Sequence, residues 1–266
     1  MSSPVPRIAI PEPTSTDAAY NQRSLPQYIR AVEAEGGVAV PIPLHESPAS
    51  QASILASCSA ILLPGSPADV DPKRYGQNAV PATAAKDEAR EAADNLLLRD
   101  AFAQGKPILG ICYGLQSLNV WRRGSLIQDL PHPPDAGAGG AESIVNHEPG
   151  REVQNAHPVR VTPGSRLSRL EPSANQEELR LSVNSSHHQA VDRPGEQLVV
   201  AAISPVDGVI EALEGAEPTQ FVVAVQWHPE RSYESSEASR ALFAAFLEAA
   251  RSWVPSRTTS IAAGRL

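Results

Sequence analysis

One cysteine and one histidine-glutamate pair stand out as groups that could do chemistry. Cys112 lies in GICYGLQ (110–116), between two glycines, just after the apolar run PIL and just before a segment of helix-forming composition. A thiol there sits on a sharp strand-to-helix turn, where Gly110 and Gly114 remove side chains that would crowd it. The free N–H groups at the helix start favour thiolate over thiol and can hold an oxyanion. The second stretch, VVAVQWHPE (222–230), reads as a buried strand ending in His228-Pro229-Glu230. Residues two apart on an extended chain face the same side, and Pro229 biases His228 away from helical backbone. Glu230 can then bond one ring nitrogen while the other faces a thiol, the arrangement of nucleophile, base and orienting group used in covalent catalysis. The plain alternative for Cys112 is a small buried residue between glycines, which is also the reading taken for Cys58.

Jointly, these stretches resemble class I glutamine amidotransferase-like enzymes. GICYGLQ fits their G-x-C-x-G-x-Q elbow and HPE their His-x-Glu end, in the same order along the chain. The resemblance implies Cys112 as nucleophile, His228 as general base and acid, and Glu230 as the group that orients the histidine. Four more stretches are similar to the gamma-glutamyl hydrolase branch, which includes the gamma-glutamyl-gamma-aminobutyrate hydrolases: LLPGSPADVDPKRYGQ (62–77), KDEARE (86–91), GSLIQDL (124–130) and VNSSHHQAV (183–191). By that likeness the Gly65-Ser66 turn supplies a second N–H to an oxyanion hole beside that of Tyr113. Gln116 helps to seat a glutamyl group, and either Ser186 or His187 touches its α-carboxylate, or their motif is structural. Two residues depart from the pattern: Tyr113 stands where the aminobutyrate hydrolases have Arg, and Arg123 replaces the first Gly of G-G-T-L.

The implied reaction is hydrolysis of the γ-amide of a gamma-glutamyl compound through a γ-glutamyl thioester, with no cofactor. A glutaminase subunit that passes ammonia to a separate synthetase is the alternative, and a non-catalytic binding protein on the same fold is a second one. The His187-His188 pair is not expected to hold a metal. Neighbours on a strand point to opposite faces, and no carboxylate or Cys lies nearby at a familiar ligand spacing. His45, His132, His147 and His157 are expected to be non-catalytic.

The elements that would position these groups follow an α/β pattern. RIAI (7–10), GGVAVPIPL (36–44), SAILLPG (59–65) and KPILGIC (106–112) read as buried strands. LPQYIRAVEAEGG and ATAAKDEAREAADNLLLRDAFAQGK read as helices closed by glycine. Beyond residue 124, HPVRVTP, LRLSVNS, QLVVAAI, GVIEAL and FVVAVQW are closely spaced strands, and 235–253 is a final helix. The expected fold is a single doubly wound α/β domain over residues 1–254, with a frayed tail at 255–266. Its central sheet is mostly parallel, has helices on both faces and carries added antiparallel strands. The Pro- and Gly-rich segment 131–143 is either a surface excursion or a lid.

The chain has 266 residues, a net charge of −8 and a sequence pI near 5.4. That balance argues against a broad basic surface for nucleic acid or anionic membrane. Two well-separated cysteines and the lack of a signal-like N-terminus suggest a reduced, cytoplasmic setting. The expected partner is a small-molecule gamma-glutamyl substrate, with a homodimer left open.

Overall fold

The computed structural model describes residues 5–131, 145–170 and 179–255. The proposed loop at 131–143 and the tail lie outside the described residues, apart from Pro131 and Pro255. All described strands join one eleven-stranded sheet. Its parallel part is built from β1 (Arg7–Pro11), β2 (Val38–Ile42), β3 (Ala60–Leu63) and β4 (Ile108–Ile111). These run in the order β2-β1-β3-β4 and continue, still parallel, into β11 (Val222–Val225).

Alternate residues of these strands enter two different cores. Ile8, Leu62, Leu109, Ile111, Val223 and Val225 pack with α1 (Ala18–Ala34) and α5 (Glu237–Ser252) on one face. Ala9, Ile61, Leu63, Ile108, Val222 and Ala224 pack on the other with α2 (Pro48–Ala56), α3 (Glu88–Gln104) and α4 (Tyr113–Trp121). Strands buried on both faces read as continuous apolar runs, which is why they were legible without alternation.

Past β11 the sheet turns antiparallel, through β10 (Ile210–Gly215), β9 (Leu198–Ile203), β6 (His157–Val161) and β7 (Arg180–Val183). A side branch pairs β5 (Ser125–Ile127) with β8 (Ala190–Arg193), and β8 with β10.

Local expectations need four adjustments. Helix α1 starts at Ala18, well before Leu25, because Asp17 caps it by accepting from the Tyr20 N–H, and Pro26 lies inside it. Helix α3 starts later than its helix-forming composition suggests, at the cap Asp87. Helix α2 was not anticipated from sequence; Ser47 caps it and Pro48 occupies its first turn. The short strands β5 and β8 were also missed. Arg123, which stands in place of a glycine, adopts φ 67°, a left-handed conformation that glycine enters without strain.

Candidate active site

Cys112 occupies the turn between β4 and α4 with φ 53° and ψ −108°. Such backbone costs on the order of 1–3 kcal/mol and is held only where the surroundings impose it. Here they do so by close approach. A β-carbon on Gly114 would overlap the Leu63 carbonyl, and one on Gly110 would lie 3.0 Å from the carbonyl carbon and oxygen of Gly114. The two glycines therefore let α4 sit directly against β3 and β4, which aims the thiol out of the sheet end.

His228 follows β11, in a turn rather than on an extended strand; the Arg231 N–H closes that turn on the His228 carbonyl at 3.2 Å. The expected contact forms even so, with His228 Nδ1 2.8 Å from Glu230 Oε1. That leaves Nε2 as the ring nitrogen available to a thiol. Asn184 fixes the histidine's backbone from both sides, accepting from its N–H and donating to its carbonyl, each at 2.8 Å. Gly65 lies between the two candidate catalytic side chains. A β-carbon there would be 3.0 Å from His228 Cε1 and 3.7 Å from Cys112 Cβ.

The electrostatics correct one expectation. Burial pushes the Cys112 thiol up to about 12, outweighing Arg231 and the Tyr113 N–H, which both favour thiolate. The resting group is a thiol, and the helix start does not ionise it. Burial likewise lowers His228 below its ordinary value against the opposing pull of Glu230, so the ring is neutral near pH 7. For Glu230, burial works upward, but the His228 ring and Arg231 overcome it and keep the carboxylate ionised. A neutral imidazole beside a neutral thiol is a base waiting for a proton.

The oxyanion expectation also changes. The Gly65 N–H donates to the Tyr28 hydroxyl at 3.0 Å, so it is occupied in holding the turn. Ser66 and Tyr113 remain as the candidate donors. The Ser66 hydroxyl shapes the same turn by accepting from the Ala68 N–H at 3.1 Å.

A cleft of about 160 Å³ opens over Cys112, with Ser66, Asp69, Gln116, Ser186 and His188 in its walls. Gln116 points inward: its Nε2 donates to the Gln189 carbonyl at 3.1 Å and to Gln226 Oε1 at 3.3 Å. Gln226, fully buried, donates in turn to Cys112 Sγ at 3.6 Å. Sequence reasoning missed Gln226, although a glutamine two residues before His228 in an otherwise apolar strand was a visible signal. It also missed Asp69 as a partner of His188.

His187 and His188 part company. His188 stands half-buried between Asp69, 3.2 Å from Nε2, and Asp129, 3.3 Å from Nδ1. The bond to Asp69, against a smaller effect of burial, raises it to about 9, so it is a cation at the cleft wall. His187 borders the cleft, but its ring turns away from it. Nδ1 meets the Gln189 carbonyl at 3.0 Å, and Nε2 faces Glu211 at 3.8 Å. Its expected contact with a substrate carboxylate is therefore not what the side chain is placed for. His147 and His157 reach the same Glu211, a gathering that no local spacing in the sequence announced. His45 is exposed and pairs with Glu46; His132 lies outside the described residues.

Two of the four motif stretches, KDEARE and GSLIQDL, act chiefly as scaffold. Asp87 of KDEARE accepts from Thr14 and Ser15 and caps α3. Arg90, fully buried, donates to Asp94 at 2.8 Å, to the Pro13 carbonyl at 2.8 Å and to the Pro64 carbonyl at 2.6 Å. Its guanidinium also lies 4.7 Å from the centre of the Tyr113 ring. In GSLIQDL, Gln128 ties down the 77–83 loop and Asp129 reaches His188.

A parallel sheet with helices on both faces, an antiparallel extension and a strained cysteine beside a histidine-glutamate pair define the class I glutamine amidotransferase-like proteins. Residues 8–230 match the Peptidase C26 family, and the chain belongs to it. It is 41% identical to the proposed glutamine amidotransferase Rv2859c of Mycobacterium tuberculosis, over 81% of this chain and 65% of that protein. It is 34% identical to the gamma-glutamyl-gamma-aminobutyrate hydrolase PuuD of Escherichia coli K12, over 84% of each chain. A proposed GMP synthase protein of Thermoplasma acidophilum shares the fold, with a TM-score of 0.62, 16% identity and coverage of 94% of this chain and 96% of that one. Among the described residues no helix is long and apolar enough to cross a membrane.

Proposed function

We propose that the protein is a cysteine hydrolase that cleaves the γ-amide of a gamma-glutamyl compound, releasing glutamate and an amine. The observation that carries this reading is the 2.8 Å His228–Glu230 pair set beside a thiol on a left-handed turn. His228 Nε2 takes the thiol proton as Cys112 Sγ attacks the γ-carbonyl carbon, and the oxyanion forms against the Ser66 and Tyr113 N–H groups. The C–N bond then breaks as His228 returns the proton to the departing amine. Water, deprotonated by the same ring, cleaves the thioester. The resting thiol makes the base indispensable, because no thiolate is stored. Likeness to PuuD supports the gamma-glutamyl class.

A glutaminase role is the second reading, favoured by the name of the mycobacterial relative. Turnover of γ-glutamyl amines by the isolated protein, compared with glutamine, tests between them; glutamine alone as substrate would overturn the first. Cys112→Ala is expected to abolish turnover and Cys58→Ser to preserve it. His228→Ala is expected to lose on the order of 10²–10⁴-fold. It should recover relatively more rate on a γ-glutamyl anilide with an electron-poor ring, whose leaving group depends less on a proton. Equal losses on anilide and alkylamide, with acylation rate-limiting, would remove His228 as the acid.

A further inference from the structure

We propose that His147, His157, His187 and Glu211 form a closed four-ligand site for a divalent transition metal of the zinc type, built behind the cleft. Their candidate ligand atoms all lie within 4.8 Å of one another, and all four residues are buried. Glu211 Oε1 stands 3.3 Å from His147 Nδ1, 3.6 Å from His157 Nε2 and 3.8 Å from His187 Nε2. Zn–N and Zn–O bonds of about 2.0–2.1 Å at tetrahedral angles put ligand atoms about 3.3 Å apart, so a small contraction closes the set.

The hydrogen bonds on the far side of each ring decide where its lone pair points. His147 Nε2 is 3.0 Å from Asp207 Oδ2, His157 Nδ1 is 3.2 Å from the Pro158 carbonyl, and His187 Nδ1 is 3.0 Å from the Gln189 carbonyl. Each of those partners accepts, so each ring carries one N–H outward and, in its neutral form, turns an unprotonated nitrogen inward. The inward atoms are the ones left without a hydrogen bond: His147 Nδ1, His157 Nε2, His187 Nε2 and both Glu211 oxygens. A proton on His147 Nδ1 would serve only one of these atoms, and buried polar groups left without a partner are costly; a carboxylate or carbonyl behind each ligating imidazole is the usual support of a metal site. Three imidazoles and one carboxylate suit zinc, and four protein ligands with no open side suit a structural role.

The ligands come from four segments: the chain just after residue 145, the start of β6, the 184–189 connection and β10. The 184–189 connection also carries Asn184, which holds His228, and Gln189, which receives Gln116. A metal here would brace the antiparallel half of the site without touching substrate.

Metal analysis of the full-length protein, purified without chelator, is expected to find about one equivalent of zinc per chain. Chelator treatment followed by Zn²⁺ alone should restore it and raise the thermal midpoint. Glu211→Gln is expected to abolish retention. Should that variant fail to fold, Asp207→Asn, which only weakens the support of His147, is expected to lower zinc affinity about 10–100-fold with the fold intact. Cys112→Ser should bind zinc as the wild type does. No metal after purification together with no thermal response to Zn²⁺ would overturn the proposal. So would retention unchanged in both Glu211→Gln and Asp207→Asn, or loss of metal in Cys112→Ser. None of these readouts depends on turnover, so the site stands or falls separately from the proposed reaction.

Discussion

The two halves of the sheet place functional groups by opposite means. From β2 to β4 the buried strand residues are apolar, and Cys112 is aimed chiefly by contact: two glycines and a left-handed φ. From β11 to β7 the interior admits Gln226, Glu211, Asn184, His157 and His187, and there position is set by hydrogen bonds between buried polar groups. Sterics locate an atom with no partner to lose. Polar networks locate it only while every member is satisfied, since each orphaned buried group costs about 1–3 kcal/mol. The halves should therefore fail differently.

The largest effect is expected in the parallel half. Gly114→Ala sets a methyl into the Leu63 carbonyl, and overpacking of backbone against backbone should cost on the order of 3–5 kcal/mol, with loss of turnover. Denaturant unfolding checks this, and a variant as stable and active as the wild type would dissolve the contrast. Next comes Asn184→Ala, which orphans the N–H of His228 and leaves its carbonyl with the Arg231 N–H alone. We expect about 2–4 kcal/mol of destabilisation and a fall in kcat larger than any rise in KM.

The smallest effect is expected from Glu230→Gln, which keeps an acceptor for His228 Nδ1 but removes the charge that favours the imidazolium. His228 already lies below the usual histidine value, and without that charge it should fall further. The acid limb of kcat/KM should then move to lower pH, while the plateau drops by less than the ~10²–10⁴-fold expected for His228→Ala. A limb that stays put or moves upward would mean that Glu230 does not set the base.

The same contrast decides what could be read from sequence. GICYGLQ and the parallel strands were legible because their signals are local: glycine spacing, apolar runs and a cap. HPE was legible for the same reason, since partners two residues apart meet in any tight turn. The polar cluster was not. His157 and Glu211 are brought together by antiparallel pairing across β6, β9 and β10, and His147 and His187 by a bond between two connections, so a rule that seeks ligands at close spacing passes over them. The ionisation of Cys112 was misjudged because local position argued for a helix end, whereas burial is a property of the whole packed sheet.

Arg90 gives the cleft a property that none of its lining residues supplies. One guanidinium grips the loop after β1 through Pro13 and the loop after β3 through Pro64, while its face lies on Tyr113 at the head of α4. A lysine offers a point charge without the planar fork that spans such partners. The aperture over the thiol is therefore gauged by a cation buried out of reach of the cleft, so a change at Arg90 would alter the width of the opening without altering any group that lines it.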